Sequence, residues 1–153
     1  MIIKMNRFYL KSIAFWFILL SMALVNAVIR ETTYKPLLEP IIGIWAHQIS
    51  SLTAILLFAL AIYAFLKNVH QNYRSRDLYF VGLIWMMMTI VFETGMNVFI
   101  RHLNLTEVLQ TYYFWRGDTW FFVLLSLVIL PVVIAKKIQE KRQIDFQNGE
   151  KLF

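Results

Sequence analysis

Thr89, Glu93, Asn97 and Arg101 recur at intervals of four through the stretch VGLIWMMMTIVFETGMNVFI and the residue that follows it. On a helix that spacing draws one continuous polar stripe. An ionised side chain at membrane depth costs roughly 3 kcal/mol or more, so Glu93 calls for a partner or a task. A carboxyl group in that setting can act as a general acid or base, carry a proton, ligate a metal or complete an ion pair.

Other polar residues gather at the ends of neighbouring apolar segments. Asn26 and Arg30 lie four apart, hence on one helix face, and Glu31 follows directly. The second segment brings His47 and Gln48, expected about two turns in, then Ser50 and Ser51. Arg116, Gly117 and Asp118 stand at the entry to the fourth. Guanidinium groups suit phosphate because their paired donors match its geometry. The ligand-binding shortlist is therefore Asn26, Arg30, Glu31, Glu93 and Arg116, with Glu93 and His47 as candidates for acid–base work.

Each member also has a structural reading. Arginines at helix ends reach toward headgroups, and for Arg101 that reading is preferred. A histidine near an interface is more often a bonded bundle residue than a base. Asn26, Ser50 and Ser51 can be interhelical glue, at ~0.6 kcal/mol per bond. For Glu93, an ion pair with Arg30 or Arg116 weighs equally with a functional role. Trp85, Met86, Met87 and Met88 point in different directions on a helix and read as packing or lipid-facing surface. His70 and His102 fall in connections and carry no signal.

The elements that must position these groups follow from composition. The 153 residues are 59% hydrophobic and 16% aromatic, with a mean hydropathy of +0.61, which excludes a water-soluble domain. Four apolar segments run from about Ser12 to Ile29, Ile41 to Leu66, Leu78 to Ile100 and Trp120 to Ala135. Each is near the ~20 residues a helix needs to cross ~30 Å of hydrocarbon. Alternation of period two is absent, so helices are expected over about 12–30, 41–66, 78–100 and 112–136, in a single all-α transmembrane domain built as an antiparallel up-down bundle. The stretch 30–40, with Pro36 and Pro40, is expected to connect the first two helices, and 139–153 to form a polar, frayed tail. A short interfacial turn is expected within HLNLTEVLQTYYFW, whose rings read as a headgroup-level belt. Pro131 is expected to kink the fourth helix.

Charge sets the orientation. Lys4, Arg7, Lys11, Lys67, Arg74, Arg76, Lys136, Lys137, Lys141, Arg142 and Lys151 place eleven basic residues on one side; Arg30, Lys35, Arg101 and Arg116 place four on the other. Both termini and the middle connection are expected in the cytoplasm. The net charge of +6 then reflects topology and attraction to anionic headgroups, and no module for nucleic acid is present. A basic start, an apolar core and Val25-Asn26-Ala27 resemble a cleavable signal, but the long apolar run and the charge balance favour a retained helix. The absence of cysteine excludes disulfides and thiolate metal sites. No cofactor signature stands out, and no internal repeat suggests an inverted-repeat transporter. Asn104-Leu105-Thr106 is a sequon, without meaning in the bacterial inner membrane expected here.

Asn26 through Glu31, Ala46-His47-Gln48-Ile49-Ser50, Trp85 through Phe92-Glu93, Arg116-Gly117, Trp120 and Pro131 together resemble a family of small four-helix bacterial membrane proteins. The match spans about Asn26 to Pro131. It implies the four-helix fold, the topology and the shortlist of polar positions, but no reaction. That family carries a glycine where Asn97 stands and a basic residue where Asp118 stands, which weakens both as site members.

Three functions compete. The first is a module that holds an anionic lipid headgroup, or a membrane partner subunit or second copy, in the outer polar cluster. The second is an intramembrane enzyme on a lipid or polyprenyl phosphate, with Glu93 or His47 as acid or base and the arginines neutralising charge. A metal version using Glu31, His47 and Glu93 is weaker, one histidine being thin for zinc. The third is a small proton-coupled transporter, although Glu93 sits off-centre in the third helix rather than centrally in the first. The binding module is the favoured expectation.

Overall fold

The computed structural model describes residues 7–43, 45–69, 73–110 and 119–150. Among them there is no strand, and four helices are long and apolar enough to cross a bilayer. The chain is thus a multi-pass membrane protein. In chain order the elements are α1 (Arg7–Ile29), a π-helical turn (Arg30–Tyr34), α2 (Lys35–Ile42), α3 (Trp45–Asn68), α4 (Ser75–Phe99), α5 (Leu105–Gln110) and α6 (Trp120–Glu150).

The first connection corrects the sequence reading. Residues 30–40 are helical, so α1 continues through the π turn into α2. Pro36 sits at the start of α2, where its missing N–H removes little, and the Lys35 N–H bonds to the Arg30 carbonyl five residues back. That widened turn admits Pro36 at the start of α2, while Pro40 lies inside α2 and removes one backbone donor two residues before the helix ends. The 35 residues Arg7–Ile41 extend ~52 Å, well beyond the hydrocarbon thickness. Gly43, at φ +57°, then reverses the chain. Because α3 starts at Trp45, His47 falls in its first turn, nearer the helix end than expected. The tail also differs: α6 stays helical through Glu150. The interfacial turn expected after α4 is the short helix α5, whereas 111–118, where the fourth helix was expected to begin, lie outside the described residues.

Packed pairs are α1–α3, α3–α6, α6–α4 and α4–α1, which orders the helices α1, α3, α6, α4 around the bundle. The consecutive helices α3 and α4 therefore sit across it from each other. Apolar side chains have no reason to leave lipid, so tight packing and interhelical hydrogen bonds hold such a bundle. Phe15, Phe65 and Trp85 fill the middle, with Phe15 and Phe65 stacked at 4.4 Å. Of the tryptophan–methionine run, Trp85 is in this core and Met87 faces outward. On α1 and α4 two indoles clasp the helices together: Trp16 Nε1 donates to Thr89 Oγ1 at 3.1 Å, and Trp85 Nε1 donates to the Ser12 carbonyl at 2.8 Å. At the inner end, Asp77 accepts from the Arg74 N–H and from the Tyr9 hydroxyl, both at 2.8 Å, which ties the start of α4 to α1.

Gly82 marks the closest approach of α4 to α6. A Cβ there would lie 2.7 Å from the Leu127 carbonyl oxygen and from Val128 Cα, both backbone atoms that cannot swing away. A Cβ on Gly95 meets nothing. Gly82→Ala is therefore expected to cost about 1–3 kcal/mol through forced separation of α4 and α6. Gly95→Ala should be neutral or stabilising by up to ~1 kcal/mol. Thermal unfolding in detergent, followed by circular dichroism, checks the contrast.

Candidate functional site

The helix ends away from the Asp77 contact, outer on the charge expectation, hold most of the buried polar groups among the described residues. Asn26 on α1 donates from Nδ2 to the Ser50 carbonyl and to Ser50 Oγ on α3, each at 3.2 Å. Thr119 donates to Ser51 Oγ at 2.6 Å and joins α3 to the start of α6. Trp120 Nε1 donates to Glu93 Oε2 at 2.6 Å and joins α6 to α4. Together these bonds form a polar layer across all four helices.

Above the Trp16–Thr89 clasp, α1 and α4 part and leave a cavity of about 270 Å³. Its α1 wall is Leu20, Ala23, Leu24 and Ala27, one helical face at spacings of three and four. The two alanines supply much of the room. The α4 wall is Phe92, Met96 and the polar stripe Thr89, Glu93, Asn97 and Arg101. Trp120 completes the lining from α6, and Arg30 stands with Arg101 at the outer end. Within α4 each step of the stripe is one turn, so Glu93 lies ~6 Å inward of Asn97, and Arg101 follows two residues beyond the helix end.

The sequence shortlist divides on this geometry. Arg30 and Glu93 line the cavity. Asn26 is 93% buried and turned to α3, where it serves as interhelical glue. Glu31 accepts from Lys35 Nζ at 2.9 Å and from Arg30 Nε at 3.2 Å, away from the cavity lining. Arg116, and with it Asp118, lies outside the described residues, and so does the side chain of His47.

Asn97 and Arg101 enter the site from the structure. The resemblance, with glycine at that position, weakens Asn97; its place in the stripe of four is the signal for it. Among the described residues six polar side chains are buried: Ser12, Asn26, Ser50, Ser51, Asn97 and Ser126. Five have hydrogen-bonded side chains, to Phe8, Ser50, Asn26, Thr119 and Val123 respectively. The Asn97 carboxamide, 95% buried, has no such bond among the described residues. Its backbone is fixed, because the Leu103 N–H donates to the Asn97 carbonyl as the chain leaves α4 through His102 at φ +55°. Among the described residues nothing bonds the Arg101 guanidinium, and Arg30 gives only one edge of its fork to Glu31. Five donors on each guanidinium leave ample capacity for an oxyanion.

The chain matches no protein-family model, no curated protein and no solved structure. The site therefore rests on its own geometry. In that geometry Glu93 is a tie between α4 and α6 at the cavity floor. Trp120→Phe keeps the ring and removes the donor, and is expected to destabilise by about 1–2 kcal/mol, since the Glu93 carboxyl oxygen loses its indole hydrogen bond. Asn26→Leu should cost about 1 kcal/mol by opening the α1–α3 contact. Unfolding midpoints of both variants in one detergent provide the check.

Proposed function

We propose that this chain is a lipid-binding protein of a bacterial inner membrane, with both termini cytoplasmic, and that its cavity holds the phosphate of a lipid headgroup at the periplasmic ends of α1 and α4. One observation carries the reading: a cavity walled by Leu20, Ala23, Leu24, Phe92 and Met96 has Arg30 and Arg101 together at one end. An apolar trough with cationic donors at its mouth matches an amphiphile whose anionic end lies at the interface. Fork-shaped guanidinium donors suit a phosphate, and so does the low cost of desolvating an arginine at that depth. The eleven-to-four distribution of basic residues supports an outward-facing mouth.

The test is native mass spectrometry of protein extracted gently from its own membranes. Wild type is expected to carry one phospholipid per chain. Arg101→Ala and Arg30→Ala should each lower the bound fraction about tenfold, the loss of one charge-assisted contact. Protein that is bare throughout, or variants that hold lipid as well as wild type, would exclude the reading.

A further inference from the structure

We infer that the ligand is a glycerophospholipid recognised through an ester carbonyl, which accepts a hydrogen bond from the Asn97 carboxamide. This rests on the lipid-binding reading and narrows it to a chemical class. The starting observation is the unsatisfied amide. A buried carboxamide without a hydrogen bond is costly, and alone among the six buried polar residues Asn97 carries its side chain in that state among the described residues. It also lines the cavity, so a group bound there is placed to meet it.

The order of groups along the cavity decides which part of a lipid that is. Read inward from the mouth, the lining runs from Arg30 and Arg101, through Asn97 one turn below, to Leu24, Ala23, Phe92 and Leu20. A glycerophospholipid presents the same order: phosphate, then ester carbonyls just beneath it, then acyl chain. The carbonyl oxygen is an acceptor with no proton of its own, and the Asn97 Nδ2 supplies two. Glu93, a further turn in, is engaged by the Trp120 indole. A polyprenyl phosphate would satisfy the arginines and the apolar walls but offers nothing to Asn97.

The experiment compares three probes on purified, delipidated full-length protein by native mass spectrometry. They are a diester phosphatidylglycerol, its diether analogue lacking both carbonyls, and undecaprenyl phosphate. Wild type is expected to bind the diester about tenfold more tightly than either competitor, the worth of one hydrogen bond to an otherwise unpaired amide. Asn97→Leu should bind diester and diether alike, and Arg101→Ala should weaken all three about tenfold while keeping the ester preference. Equal binding of diester and diether by wild type overturns the carbonyl contact, with water then satisfying Asn97. That result needs no variant to fold. Binding of all three lipids that is unaffected by Arg30→Ala and Arg101→Ala overturns the lipid-phosphate reading instead, so the two failures are distinguishable.

Discussion

The bond between the Trp120 indole and the Glu93 carboxylate, 2.6 Å long, is the constraint on which the outer half of the bundle depends. A carboxylate on an apolar helix has to be met by a donor, and α6 brings one. Meeting it draws the start of α6 against α4. Further down, the bare backbone at Gly82 lets the same two helices touch. Packed against α3 as well as α4, α6 is the most enclosed of the four spanning helices: 44% of its most apolar window is buried, against 22–33% elsewhere.

Around that axis the remaining polar bonds act as spacers. Asn26 on Ser50 and Thr119 on Ser51 hold α3 to its two neighbours near the outer ends. The paired indoles of Trp16 and Trp85 hold α1 to α4 lower down. Individually such bonds are worth only ~0.6 kcal/mol in a bilayer. Their placement matters more than their sum: α1 and α4 are clasped in their N-terminal halves and left apart beyond Thr89, where alanines replace bulk on α1. The opening follows from where the clasp stops.

Hydropathy alone made the four spanning helices legible, because burial of apolar runs in lipid leaves no rival explanation for them. The stripe at 89, 93, 97 and 101 was legible for the same reason, as period four on a helix. What the sequence concealed was pairing. Nothing in the spacing tells that Asn26 faces Ser50 or that Glu93 meets an indole from α6, since both depend on how helices are ordered around the bundle. The prolines misled in the other direction. Pro36 and Pro40 read as a connection, but Pro36 sits at the start of α2, where a proline obstructs little, Pro40 falls inside α2 two residues before its end, and the π turn at Arg30–Tyr34 admits the change of register. Asn97 was discounted on a resemblance while its own periodicity argued for it.

The circular order α1, α3, α6, α4 also says how such a bundle comes together. Each helix packs against the spanning helix next to it in the chain within two pairs, α1 with α3 and α4 with α6, whereas α3 and α4 are not neighbours. The protein is thus two helical hairpins laid side by side, each able to enter the bilayer as its own unit during synthesis and dock afterwards. The cavity lies on the α1–α4 boundary where those hairpins meet. A molecule lodged there touches both, and so works as a wedge in the joint: its arrival or departure is felt as a change in the angle between two preformed halves rather than as a disturbance within either.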